Sequence, residues 1–426
     1  MRLVHLAFLA ALIAPALVFA EEPPDPASAL RELAQHAGVS GSLRGGYWSS
    51  SRDLDDREHF AGSALWLKAA PKLLPNASLL VDGWIRNQDL FHEEATVGEL
   101  REAYVDLSLG PVDLRLGKQI IAWGRADRIN PTDNLTPRDF TLLVPDDDDQ
   151  RLGAPALKAS YHLGDITLTA VGIPYFEPHT TPLNKPAPPF TARKRLPDNP
   201  VGQWGIKVEQ TGKALDWSVS YFDGFDLSPD LGIDRATSSS VELLLRHHRV
   251  RVIGADAATT IGRYGLRGEA AYTFTEDLEG DDPKVKNPFF FMVVGGDRTF
   301  LEYLNVNLQY ILRAVVNYRS PVGIPNAVER SVAMKQAVAS NQLDRVQHGA
   351  SLRVSNKWLN ETLEGELAGI LSFTRGDYAI RPKLTYAFTD RWKGVVGADL
   401  FRGPRRSYFG DINDNTAAYA ELRLSF

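Results

Sequence analysis

Residues 304–310 read LNVNLQY, with Leu304, Val306, Leu308 and Tyr310 alternating with Asn305, Asn307 and Gln309. A strand turns successive side chains to opposite faces, so this segment has one apolar wall and one wet wall. The same period recurs along most of the chain. Ala103, Val105, Leu107 and Leu109 oppose Glu102, Tyr104, Asp106 and Ser108. Leu266, Gly268, Ala270, Tyr272 and Phe274 oppose Arg267, Glu269, Thr273 and Thr275. Leu363, Leu367, Leu371 and Phe373 oppose Glu364 and Glu366, and Tyr378, Ile380, Leu384, Tyr386 and Phe388 oppose Arg381 and Lys383. Mid-strand charges of both signs fit a water-filled lumen. Aromatics near strand ends (Tyr47-Trp48, Tyr175-Phe176, Tyr221-Phe222, Phe289-Phe290-Phe291, Tyr318) fit the girdles of a barrel in lipid.

Parity places strands at 41–53, 59–71, 77–88, 98–109, 112–124, 154–163, 165–175, 201–211, 214–225, 247–262, 264–276, 289–299, 302–317, 346–358, 362–374, 377–388, 391–402 and 415–426. Residues 226–250 are ambiguous, because Val241 to Leu245 either extends one tall strand or forms another. The expected fold is therefore all-β: a closed antiparallel transmembrane β-barrel of about 18 strands, with 16 as the alternative. Short joints such as Gly110-Pro111, Thr211-Gly212-Lys213 and Asn360-Glu361 hold turn-forming residues and make short periplasmic turns. The long loops then share the outer side. One residue conflicts with parity: Lys118 falls with Leu114, Leu116 and Ile120, which predicts a bulge at Gly117 or a snorkelling position.

Composition narrows the classes of function. The 426 residues are 44% hydrophobic, carry a formal net charge of −6 and include no cysteine. Disulfides and thiolate metal sites are excluded, and no basic footprint for nucleic acid exists. Mean hydropathy is −0.22, too polar for a bundle of membrane helices. Residues 1–20 read as a secretory signal peptide: Arg2, then an apolar run, then Val18-Phe19-Ala20 as the cleavage site. Residues 21–40 read as a polar periplasmic lead-in, and 41–426 as the barrel. A final strand closing on Phe426 resembles the signal by which bacterial outer-membrane proteins engage the barrel-assembly machinery.

The outer loop at 125–153, RADRINPTDNLTPRDFTLLVPDDDDQRLG, is long and dense in charge. Asn130-Pro131-Thr132-Asp133 and Thr136-Pro137-Arg138-Asp139 are turn and cap signatures, and Phe140, Leu142 and Leu143 are apolar anchors. Its place after strand five resembles the in-folded loop of general porins. The run GKQIIAWGRADRINPTDNLTPRDF at 117–140, followed by DDDD and RLG, YFDGFD and YGLRGEAAY, resembles a group of uncharacterised Gram-negative outer-membrane porin-like proteins with a "G-[RK]-Q-x-x-x-W-G" strand leading into "I-N-P-x-D". The resemblance implies a channel of the Gram-negative outer membrane and names no substrate.

The expected pore constriction is Trp123, Arg125, Asp127, Arg128, Asp133, Arg138, Asp139 and Arg151, with Trp123 and Arg125 on the lumen parity of strand five. Opposed charges there either set a transverse field that selects solutes or pair to hold the loop down. The lumen wall is expected to carry Asp82, Arg86, Glu102, Asp106, Arg115, Lys207, Glu209, Arg267, Glu269, Glu364, Glu366, Arg381, Lys383, Lys393, Asp399, Glu421 and Arg423, joined in cross-strand ladders. Asp146 to Asp149 reads as a solvated like-charge block, or else as a site for a hard cation such as Ca²⁺. The Pro-rich segment 177–200 reads as a semi-rigid cover.

No nucleophile elbow, zincin or phosphate-loop motif is present, so no catalytic residue and no cofactor or metal is expected. The expected function is passive diffusion of small polar or charged solutes through a barrel set among outer-membrane lipid and lipopolysaccharide, as a monomer or homo-trimer. The alternative is a sheath or scaffold for a periplasmic electron-transfer or export partner. A channel for hydrophobic compounds would need an apolar lateral exit.

Overall fold

The computed structural model describes residues 37–50, 59–87, 96–181, 188–198, 201–237 and 239–426. The expected signal peptide and the lead-in up to residue 36 lie outside the described residues. The barrel strands, in chain order, are β1 (Ser40–Ser50), β2 (His59–Ala69), β3 (Ala77–Asn87), β4 (Val97–Leu109), β5 (Val112–Gln119), β6 (Ala154–Leu163), β7 (Ile166–Ile173), β8 (Gln203–Gln210) and β9 (Leu215–Phe225). They continue as β10 (Arg249–Ile261), β11 (Tyr264–Phe274), β12 (Phe289–Phe300), β13 (Leu304–Val315), β14 (Val346–Trp358), β15 (Leu363–Ser372), β16 (Tyr378–Ala387), β17 (Trp392–Arg402) and β18 (Ala417–Ser425). Each pairs antiparallel with its neighbours in sequence. The circle closes between β1 and β18, from Ser42 opposite Ser425 to Ser50 opposite Ala417. Gly41 and Phe426 extend the seam with two backbone hydrogen bonds of 2.8 and 3.0 Å. The count is therefore eighteen, not sixteen. A closed sheet leaves no strand edge unpaired.

The period-two reading explains the wall. Leu43, Leu116, Leu308, Leu367 and Val396 are exposed on the outward face. Asp82, Asp256, Glu269, Asn307 and Gln309 are buried on the inward face. Adjacent aromatics divide between the two. Tyr47 is 40% exposed and Trp48 8%; Tyr175 is 62% and Phe176 6%. In each of these two pairs one ring faces outward and the other serves the interior.

Residues 226–248 add no barrel strand. Val241–Arg246 pairs antiparallel with Asp230–Ala236 and parallel with Phe190–Arg195, forming a separate three-stranded sheet. This sheet packs on the helix Ala327–Ala339 through Val241, Leu243 and Val332. Asn326 caps the helix, accepting from the amides of Val328 (2.9 Å) and Glu329 (3.2 Å), a device worth about 1 kcal/mol. The second long loop supplies Phe190–Arg195 to this sheet. Arg193 pairs with Asp234 and Glu242, and Arg195 with Asp198. Beneath the sheet, Lys286 meets Asp226 at 2.7 Å and Asp230 at 3.5 Å, and His248 meets Asp230 at 2.8 Å. Burial alone would lower the Lys286 ammonium, but Asp226 and Asp230 outweigh it and hold it above its ordinary value.

Candidate functional site: the loop across the lumen

Strand five ends at Gln119, five residues before its expected end, and the inward loop starts at Ile120. The cause lies in its neighbour. The β3–β4 register slips between Asp82 and Gly83, which leaves Arg101 as an extra residue in β4. The Arg101 carbonyl accepts from the amide of Gly153 (3.0 Å), so the lead-in to β6 takes a place that β5 gives up. A Cβ on Gly153 would stand 2.6 Å from that carbonyl oxygen, which explains a glycine there. Ile120 turns its amide to the Glu102 carboxylate at 2.8 Å. Trp123 and Arg125 are therefore loop residues rather than members of strand five.

Gly117 has φ of +134°, a backbone that side chains rarely adopt. No register slip accompanies it, so the expected bulge sits across the ladder at Arg101 instead. Lys118 is half-buried and reaches Glu99 at 3.4 Å and Glu177 at 3.9 Å.

The loop then circles the lumen. Ile121, Trp123 and Leu135 pack on Ala154, Ala156, Val171, Phe222 and Val252 of the inner wall. Glu269 of β11, 2% exposed, is its main acceptor. It takes hydrogen bonds from the amides of Arg125 (3.0 Å), Ala126 (3.1 Å) and Thr132 (2.8 Å), from the Thr132 hydroxyl (2.7 Å) and from Asn130 Nδ2 (3.0 Å). Arg125 donates to Asp256 of β10 at 2.6 Å. The Asp127 amide donates to Gln309 of β13 at 2.9 Å, and Arg353 of β14 donates to the Asp127 carboxylate at 2.8 Å. Arg128 donates to Glu366 of β15 at 2.8 Å. Arg138 and Arg151 both pair with Asp133, at 3.3 and 2.8 Å, and Arg86 of β3 meets Asp139 at 3.8 Å.

The four consecutive aspartates are mostly not solvated. Asp146 pairs with Lys383 of β16 (3.0 Å) and Arg423 of β18 (3.3 Å), Asp147 with Arg381 of β16, and Asp149 with Arg44 of β1 (2.5 Å). Asp148 is the most exposed of the four, its side chain 87% exposed, and it accepts from Arg151 Nε at 3.2 Å. Burial works to raise the Asp146 and Asp147 carboxyls. Lys383 and Arg423 for the first, and Arg381 and Arg128 for the second, outweigh it and hold both below the ordinary carboxylate value. No group of three or more His, Asp or Glu suited to a metal ion occurs among the described residues.

The expected wall residues divide in use. Asp106–Arg115 (2.7 Å), Arg267–Asp297 and Arg381–Asp399 (2.5 Å) are cross-strand pairs, and Glu421 pairs with Arg423 along one strand at 2.7 Å. Asp82 accepts from Trp66 at 2.6 Å and from Arg101 at 3.3 Å. Glu102, Glu269, Glu366, Lys383 and Arg423 face the loop. Glu364 has no ion pair among the described residues. Arg44, Asp256, Gln309 and Arg353 also hold the loop, and parity alone does not single them out.

The chain matches the family described as "Protein of unknown function (DUF1302)" over residues 87–426. No curated protein matches it. Among solved structures, a mutant of the Rh. blastica porin is 15% identical, covering 91% of this chain and 99% of that one, with a TM-score of 0.43. A loop-deletion mutant of OmpT, an outer membrane protein of Vibrio cholerae, is 12% identical, covering 91% and 98%, with a TM-score of 0.44.

Proposed function

The chain belongs to the DUF1302 family, whose function is unknown, and from that premise we propose that it is an outer-membrane channel for passive diffusion of small polar or charged solutes. One observation carries the reading. Residues 120–153 are held by wall groups of both signs, from Glu269 and Glu366 to Arg381 and Arg423. A narrow lumen lined by opposed charges passes solutes that tolerate a transverse field and rejects those that need an apolar path. Arg125, Asp127, Arg128, Asp133, Arg138, Asp139 and Arg151 set the limit of size and charge in this reading, and Trp123 anchors the loop to the wall.

The apolar outward face suits lipid, and the closed seam suits a barrel that leaves no edge in it. Lipopolysaccharide surrounds the outer loops. The sheath reading would be favoured by a plugged lumen that conducts only alongside a partner.

Reconstitution in a planar bilayer tests the proposal. Single-channel conductance is expected, and deleting residues 130–149 should raise it. Absence of conductance under any voltage sinks the channel; an unchanged value in the deletion variant removes the loop from the pore.

A further inference from the structure

The inner wall of β1–β3 departs from the wet-face pattern. Trp48, Phe60, Trp66 and Trp84 are buried there, and the loop sets Leu142, Leu143 and Val144 against them. Anchoring the loop accounts for those contacts. It does not account for the cleft of about 70 Å³ left between loop and wall. Two guanidinium groups border that cleft, Arg44 lying 4.3 Å over the Trp66 ring and Arg86 4.1 Å over the Trp84 ring. The acidic group in the lining, Glu421, is engaged by Arg423 at 2.7 Å, and Arg44 by Asp149 at 2.5 Å. Arg86 is different. Among the described residues its one ion pair is the 3.8 Å contact with Asp139, and its Nε is buried with no hydrogen-bond partner.

We propose that this cleft binds a monocyclic aromatic carboxylate. The inference rests on the channel reading and names a class of solute that the lumen would hold. The cleft admits the edge of a ring; Arg44 and Arg86 lie over the Trp66 and Trp84 faces, so the contacts open to that ring are edge contacts, of a kind aromatic rings accept. A carboxylate on that ring would give the Arg86 guanidinium a closer partner than Asp139 at 3.8 Å, in the two-pronged geometry a guanidinium favours. The same site discriminates twice. Acetate offers the charge without the ring, and benzyl alcohol the ring without the charge.

Titration of the purified, folded protein in detergent, read by tryptophan fluorescence, tests the site without requiring conductance. Benzoate should give a saturable change that acetate and benzyl alcohol do not give at equal concentration. Arg86→Gln should weaken benzoate binding roughly ten- to a hundredfold, the loss expected for a charge-assisted hydrogen bond. Trp84→Leu should weaken it as well, and circular dichroism melting identifies a variant that fails to fold. No saturable response to benzoate, or folded variants that bind as tightly as the native protein, would overturn the proposal. In a planar bilayer benzoate should reduce the current. A protein that binds benzoate but never conducts supports this site and refutes the channel reading alone.

Discussion

Thr132 meets Glu269 twice, donating its amide at 2.8 Å and its hydroxyl at 2.7 Å to the same carboxylate oxygen. The other oxygen accepts from Arg125, Ala126 and Asn130. An acceptor-only group suits five donors; an amide does not. Glu269→Gln should therefore set one of its own N–H groups against the loop's donors, at a cost of roughly 2–4 kcal/mol. The expected outcome is a lower melting point and a larger or noisier single-channel current. A variant with native values of both would show that Glu269 does not hold the loop.

Replacing Asp146, Asp147 and Asp149 together by Asn should leave Arg44, Arg381, Lys383 and Arg423 without the loop carboxylates that face them now. The lumen then gains positive charge, and permeation should shift toward anions. Reversal potential across a salt gradient measures the shift. Unchanged selectivity would place these groups away from the path of ions.

The contact between the two long loops should respond to pH. The Arg138 amide donates to His179 Nδ1 at 2.9 Å, which requires that nitrogen to be unprotonated. Burial depresses the imidazole to about 4, against an ordinary value near 6.5. The unfolded chain therefore binds the proton more readily. The contribution is full above pH 6.5 and is lost as pH falls toward 4. Hydrogen-exchange protection around residues 138–142, corrected for intrinsic rates, should fall in that window. His179→Ala should be low throughout and show no such step.

Gly117→Val should destabilise the barrel by about 1–3 kcal/mol. The new Cβ would lie 2.2 Å from the Ala103 carbonyl oxygen, at a φ of +134°. Thermal melting in detergent reads the loss, and a native midpoint would show that β4 and β5 can separate without cost.

The strands were legible because their signal is local. Leu308 and Gln309 declare their faces by being adjacent, and similar alternation marks most of the strands, though not the aromatic inner wall of β1–β3. The early end of β5 was not legible, since it depends on an extra residue, Arg101, in the strand beside it. The helix Ala327–Ala339 does carry a legible start, Asn326 followed by Glu329, which a search for period two passes over. The aspartate run was readable as charge but not as destination. Asp146 and Arg423 stand 277 residues apart, and Asp149 and Arg44 stand 105 apart. No pattern within the loop encodes which wall it will meet.

The same two pairs constrain the order of folding. Arg44 lies on the first strand and Arg423 on the last, so Asp149 and Asp146 grip the barrel on either side of the closing seam. Until the ends of the chain meet, these partners have no fixed separation, and bringing them together carries the full entropy of closing the chain. Once they meet, the loop staples the joint from within. Insertion of the loop and closure of the circle should thus be one cooperative event, slow because its contacts are distant in sequence.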